Sequence, residues 1–233
     1  MPPLHRHQLA HLCAAGWDDV LQRPWDASRR DCLQHWARRR LPLVVTRQLV
    51  ATGTPSAIET VALGLPAPLA WDRQRIAVQV PRGAIAWFDE FPHASAALRL
   101  FRGRARARLE SLLGDLAALG TTARVYGGHG WQLLSGHEYL HERSDLDLWI
   151  AVAEDDQADA VAACLQAFDT PKRPIDGELV FVDGAAVAWR EWAAWRAGRT
   201  RALLVKRLHG ATLERAAPHA RPPDASVEWA RAA

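Results

Sequence analysis

The sequence predicts an α/β chain of the α+β kind: a smaller α+β N-terminal domain over residues 1–94, a mixed sheet with helices over 95–215, and a frayed tail over 216–233. Three observations carry that expectation. Strands and helices alternate through the second half at lengths that suit a layered sheet. Three short β-branched segments follow two helical stretches in the first half. Between the halves, "GAIAWFDEFPHASA" (83–96) breaks the pattern with Pro92 and a cluster of small residues, which places the domain boundary there.

Taken in order, "HQLAHLCAAGWDDVL" and "DASRRDCLQHWARRR" read as helices, the second entered through Asp26 or Ser28 as a cap. "LPLVVTRQ" (41–48), "ETVALGLP" (59–66) and "RIAVQVP" (75–81) read as strands. From Ala97, "ALRLFRGRARARLESLLGDLAAL" carries Leu98, Phe101, Leu109, Leu112, Leu113 and Leu116 near helical spacing, so one long helix is expected, stopping at Gly120. "ARVYGG" then reads as a strand, "HGWQLLS" as a short helix, "DLDLWIAV" as a strand and "DDQADAVAACLQAF" as a helix. "ELVFV" and "AAVAW" follow as strands and "REWAAWRAG" as the last helix. The Pro- and Ala-rich end, "APHARPPDASVEWARAA", is expected to fray.

Composition narrows the function classes. At 233 residues, 49% apolar and 24% charged, the chain is an ordinary folded protein rather than a disordered one. It holds no apolar run of membrane-spanning length, and "MPPLHRHQLAHL" lacks the apolar core of a secretory signal, so a cytoplasmic protein without a membrane partner is expected. Cys13, Cys32 and Cys164 are scattered and odd in number, which argues for free thiols rather than disulfides or a cysteine zinc site. The charge of +3 is mild and no nucleic-acid partner is expected, but the cations are almost all arginine, a residue suited to phosphate; Lys172 and Lys206 are the only lysines. Arg99, Arg102, Arg104, Arg106 and Arg108 cannot share one helical face and read as a solvated surface. Of eleven tryptophans, Trp189, Trp192 and Trp195 read as a packed helical stripe, and Trp131, beside two glycines, is the one candidate for substrate contact.

"GHEYLHERSDLDLWI" (136–150) holds two competing site patterns. His137, Glu138 and His141 have the spacing of a zinc-peptidase helix, in which two histidines hold the metal and the glutamate activates water. The segment leaves room for barely two helical turns, and no third ligand is evident downstream, so zinc is not expected. Asp145 and Asp147 instead alternate along a strand, roughly 6.6–7 Å apart on one face, with Leu146, Leu148 and Ile150 on the other. Such a pair suits Mg²⁺, with Mn²⁺ as an alternative, bound together with substrate phosphates. Upstream, Gly127-Gly128 leads into a helix whose N–H groups can approach a phosphate closely. Downstream, either Asp176 or Glu178 in "RPIDGELVF" can complete a carboxylate triad of the kind used in two-metal phosphoryl transfer.

This order resembles the nucleotidyltransferase superfamily of the DNA polymerase β type, in which Gly-Gly or Gly-Ser, Asp-x-Asp and a third Asp follow one another. "PIDGELVF" looks like the third-aspartate strand, which favours Asp176 over Glu178. The spacer between Gly128 and Asp145, residues 129–144, is long for that superfamily. With Trp131-Gln132, Gly136, Tyr139-Leu140 and Ser144 to Leu148 it is similar to the phosphoribosyl-dephospho-CoA transferases, the holo-acyl-carrier-protein synthases of malonate decarboxylase. "RHQLAHL", "LPLVVTRQ", "LGLPAPLAWDRQRIAV" and "AVAWREW" also look like family segments; Gly128 stands where Ser is usual, and His129 and His137 replace apolar residues.

The resemblance implies a nucleotidyltransferase-like catalytic domain. It implies transfer of the phosphoribosyl-dephospho-CoA group from its triphosphoribosyl donor to a serine of the malonate decarboxylase acyl carrier protein, with release of pyrophosphate. Asp145, Asp147 and Asp176 would then ligate metal, Asp176 would help deprotonate the serine, and Gly127, Gly128, Ser144 and Lys206 would meet phosphates. The N-terminal domain would bind donor or carrier protein, and docking of an acidic carrier protein becomes the alternative role for Arg99, Arg102, Arg104, Arg106 and Arg108. The alternatives are a nucleotidyltransferase with another donor and acceptor, a zinc peptidase through His137, Glu138 and His141, and a non-catalytic subunit that binds the carrier protein.

Overall fold

The structure, a computed structural model, describes residues 3–49, 60–169 and 174–218. Lys172 and most of the expected frayed tail lie outside the described residues. The described chain forms two sheets with helices packed on them.

The first half holds strands β1 (Leu9–Leu12), β2 (Leu43–Val45), β3 (Thr60–Pro66), β4 (Arg75–Pro81) and β5 (Ile85–Asp89), with helices α1 (Ala14–Gln22) and α2 (Ala27–Arg39). Their antiparallel sheet runs β4-β3-β2-β1-β5. Two readings are corrected here. "HQLAHL" is not the start of a helix: Leu9–Leu12 is a strand inside the sheet, and α1 begins only after Cys13, whose sulfur accepts from Gly16 N–H. "GAIAWFDEF" is not merely an interruption, because Ile85–Asp89 pairs with β1. Tertiary pairing outweighs local pattern in both, since each strand completes its hydrogen bonds only against a distant partner. Asp26 caps α2 by accepting from Arg29 N–H. Leu33, Trp36, Leu43, Leu63 and Val78 fill this half's core.

The second half holds α3 (Gly103–Ala118), β6 (Ala123–Val125), α4 (Gly127–Ser135), β7 (Leu146–Ala151), α5 (Asp155–Phe168), β8 (Ile175–Val180), β9 (Ala186–Ala188), α6 (Trp189–Arg196), β10 (Leu203–Arg207) and β11 (Gly210–Glu214). The sheet runs β11-β10-β9-β8-β7-β6; β7 and β8 are parallel and every other pair is antiparallel. The long helix expected from Ala97 is broken: Ala94–Leu100 is a 3₁₀ segment, and α3 starts afresh at Gly103, whose φ of +49° turns the chain. Gly127 and Gly128 belong to the first turn of α4 rather than to the preceding strand.

One face of this sheet is the core. Leu146, Leu148, Ile150, Ile175, Leu179 and Val205 pack against Leu109, Leu112 and Leu116 of α3, Leu165 of α5 and Trp192 of α6. Trp189 and Trp192 are buried and Trp195 packs on them, as a helical stripe should. The opposite face carries Asp147 and Trp149 of β7 opposite Asp176 and Glu178 of β8, with Lys206 further along on β10.

Trp131 is not a surface for substrate. It is 4% exposed and, with Tyr139, packs into the core of the first half. An indole at this position stitches the two halves together.

Candidate active site

The connection from α4 to β7, residues 136–145, forms no helix, so the zinc-peptidase reading of His137, Glu138 and His141 fails on geometry. His137 turns toward the first half, where its Nε2 lies 2.8 Å from His35 Nε2 and its ring stacks on Trp36. His141 stays in the loop, its Nδ1 accepting from Arg143 N–H. The two histidines are held by different surroundings and share no metal position.

What this connection does instead is bind the halves to each other. Tyr139 donates its hydroxyl to Pro66 O at 2.8 Å, and Glu138 O accepts from Leu69 N–H. Gln132 on α4 receives Tyr139 N–H and Leu140 N–H on its amide oxygen. Ser144 closes the loop by accepting His141 N–H at 2.9 Å, immediately before Asp145. Sequence reasoning noticed the Trp131-Gln132 and Tyr139-Leu140 pairs without their roles; their spacing is irregular, and only the fold shows that they pin one loop.

The loop delivers Asp145 to the start of β7, next to Asp147 and, across the parallel pair, Asp176. Carboxylate oxygens of these three residues all lie within 4.8 Å of one another, the one such gathering of His, Cys, Asp or Glu ligands among the described residues. Asp145 and Asp176 are exposed and Asp147 is half-buried. Asp147 receives the Gly128 N–H at the N-terminus of α4, and Tyr126 N–H donates to its backbone carbonyl. Burial, together with the charges of Asp145 and Asp176, pushes Asp147 up to about 7 in spite of the Gly128 hydrogen bond. A divalent cation would relieve that crowding, since carboxylate oxygens are ligands of the kind Mg²⁺ prefers, whereas the N–H groups at the start of α4 suit an anion.

Glu178, the alternative third carboxylate, is not in this group. It is 4% exposed and engaged by three basic side chains: Arg6 at 3.0 Å, His7 at 3.0 Å and Lys206 at 2.8 Å. Burial alone would raise its pKa, but the His7 hydrogen bond and the charges of His7 and Arg6, with Lys206, hold it well below the usual carboxylate range. Lys206 is accordingly committed to Glu178 rather than standing among the three aspartates.

Arg6 and His7 come from the segment before β1 and lie over the open face of the second sheet. His7 has a φ of +64°, and its ring packs on Tyr126, with centroids 4.3 Å apart. Nothing in their spacing suggested this role; it exists because the first half folds back onto the second.

Models of one family match nearly the whole chain. The phosphoribosyl-dephospho-CoA transferase MdcG N-terminal domain matches residues 5–91, and the MdcG C-terminal domain matches residues 94–217. A phosphoribosyl-dephospho-CoA transferase of Bradyrhizobium diazoefficiens is 34% identical over 191 residues, covering 81% of this chain and 82% of that one. One from Xanthomonas campestris is 35% identical over 191 residues, covering 78% and 82%. A Pseudomonas aeruginosa relative of the same name is 40% identical over 88 residues, or 38% of this chain and 41% of that one. No solved structure gives a significant match.

Proposed function

The chain belongs to the phosphoribosyl-dephospho-CoA transferase family, and from that premise we propose that the group formed by Asp145, Asp147 and Asp176 is its transfer centre. The chain is a transferase, and the group it moves is phosphoribosyl-dephospho-CoA. The acceptor in this reading is a serine of the acyl carrier protein of malonate decarboxylase, and the donor is the triphosphoribosyl form of the group. No described helix is long and apolar enough to cross a membrane, and a cytoplasmic setting is part of the same proposal.

The reaction joins the serine Oγ to the phosphorus that bears the ribosyl oxygen. The bond from that phosphorus to the outgoing oxygen breaks, pyrophosphate leaves with its electron pair, and a phosphodiester remains. Asp145 and Asp147 would hold Mg²⁺ or Mn²⁺, with Asp176 as third ligand; the cation supplies charge neutralisation on the phosphates. Asp176, exposed at the cluster, accepts the serine proton. The first turn of α4 presents Gly127 and Gly128 to the outer phosphates, and no Cβ obstructs the approach. Ser144 lies beside Asp145 at the same mouth. Lys206 pairs with Glu178: with Arg6 and His7 it ties the strand that carries Asp176 to the first half, so its expected contact with phosphate gives way to a role in stability.

The gathering of three carboxylates within 4.8 Å beside α4 is the observation that carries this reading. Its test is direct: incubation with Mg²⁺, the triphosphoribosyl donor and the carrier protein should add the mass of the prosthetic group to one serine. Asp145→Asn and Asp176→Asn should remove that adduct while circular dichroism remains unchanged.

A further inference from the structure

The end of β8 that carries Asp176 has, among the described residues, a strand on one edge only. β9 stops at Ala188, opposite Glu178, and the chain then turns into α6 at Trp189, so no strand continues alongside Ile175 and Asp176 there. The other edge is covered by β7, with Leu146 N–H donating to Pro174 O at 3.1 Å. Ile175 directs its own N–H and C=O to the edge that β9 leaves, and both need partners.

Side chains take the place of the missing strand. The Ile175 carbonyl accepts from Arg190 Nη2 at 2.9 Å and from Trp189 Nε1 at 3.2 Å, and the Ile175 N–H donates to Asp169 Oδ1 at 3.0 Å. Arg190 Nη1 donates in turn to Asp169 Oδ2 at 2.8 Å, which closes a ring from the end of α5 through α6 to β8. The guanidinium lies over the Trp189 ring, 4.3 Å from its centroid, and is steadied there. A planar fork with donors on two nitrogens can hold a carboxylate and a carbonyl at once.

The edge is thereby satisfied without being covered. A strand would have closed the flank of Asp176, whereas the Arg190 side chain is 45% exposed and Asp176 itself is exposed. Arg190 is also near enough to Asp176 for the carboxylate charge to act on it. An ion pair this exposed adds little to stability, but hydrogen bonds converging on the peptide next to Asp176 restrict where that carboxylate can stand.

We propose that Arg190 is a positioning residue of the transfer centre: with Asp169 it fixes the Ile175 peptide and, through it, the place of Asp176. The inference rests on the reading of the aspartates as that centre. Arg190 acts through backbone and leaves the metal ligands as they are.

Hydrogen exchange of the whole chain without added metal, followed by steady-state kinetics, tests this. Arg190→Met removes both bonds and keeps a long side chain against Trp189. The peptide containing Ile175 and Asp176 should then exchange about tenfold faster or more, with β7 and α5 unchanged. In the transfer assay kcat should fall about 10- to 100-fold while KM for the donor stays within about twofold, as for lost alignment rather than lost binding. Arg190→Lys should recover part of kcat, since an ammonium can still meet Asp169 or the Ile175 carbonyl. Wild-type exchange at Ile175 in Arg190→Met would overturn the proposal. So would faster exchange throughout α5 and β7, which marks a general loss of structure, or a rise in KM with kcat unchanged, which marks a substrate contact. Asp176→Asn tests the underlying reading separately: full transfer by that variant overturns the assignment of the aspartates, whereas local loosening at Ile175 in Arg190→Met would still identify the clamp.

Discussion

Gly127 and the Asp147 carboxylate occupy neighbouring space so closely that a Cβ on Gly127 would overlap the Asp147 side chain. The same glycine has a φ of +56°, in the left-handed region. Both facts demand glycine, for different reasons. Gly127→Ala should displace Asp147 and lower transfer by about 100-fold or more, the scale of an ångström-level misplacement at a reacting centre. Gly128 has no such φ, and a Cβ there would meet Leu140 Cδ2 at 3.2 Å, at the flexible end of a side chain. Gly128→Ser should stay within about tenfold of wild type, and steady-state kinetics on the two variants decide the contrast.

Glu178 and Asp176 share a strand face but serve different ends. Asp176→Asn should lose metal binding and activity with little change in stability. Glu178→Gln should do the reverse, leaving Arg6 and Lys206 without their counter-charge and His7 without its carboxylate partner. The expected cost is about 2–3 kcal/mol, at or below the low end of values for breaking a buried pair, because its basic partners are partly exposed. Urea unfolding and Mg²⁺ titration separate the two; loss of Mg²⁺ binding in Glu178→Gln would restore it as a ligand.

Asp147, pushed up to about 7 by burial and by its acidic neighbours, must lose its proton to hold a cation. The sign follows directly. Below pH 7 the proton competes with the metal, so Mg²⁺ affinity should rise with pH and level off above about 7. Calorimetry in two buffers of different ionisation enthalpy should register proton release at pH 6 and little at pH 8. Equal affinity at both pH values would contradict the prediction. In the metal-free protein a raised carboxylate pKa stabilises the fold at low pH and loses that contribution as pH climbs through about 7. Asp147→Asn should accordingly raise Tm at pH 8.

His35 behaves in the opposite sense. Burial lowers its pKa, and the neighbouring His137, Arg39 and Arg38 lower it further, against the pull of Asp31. The unfolded chain therefore binds the proton more readily, and stability should fall as pH drops below 6.5. His35→Asn should flatten that part of the urea-midpoint profile. His137→Ala should cost about 1 kcal/mol through lost packing on Trp36 and Trp71. It should leave zinc content unchanged, as measured on the purified protein.

Much of the fold was legible because its elements follow local rules. β3, β4, β7 and α5 come from alternation and helical spacing that burial then satisfies: Val61, Leu63 and Leu65 point inward along β3, and Leu146, Leu148 and Ile150 do so along β7. The misread elements depend on partners. Leu9–Leu12 looks helical by itself and is a strand because β2 and β5 flank it; the helix from Ala97 breaks because Gly103 turns the chain at φ +49°. β10 and β11 went unread for the same reason, since each relies on the other and on β9 for its hydrogen bonds.

By itself the sequence determined which acids could act together, since strand alternation puts Asp145 and Asp147 on one side whatever the rest of the chain does. It also determined the family, through Gly127 to Leu148. Tertiary structure decided the remainder. The parallel pairing of β7 with β8 sets Asp176 opposite Asp147 and moves Glu178 one step away, to Trp149, where Arg6, His7 and Lys206 take it. The physical reason is range: alternation is a property of neighbouring residues, whereas the choice between two acids on one strand depends on charges 28 to 172 positions away.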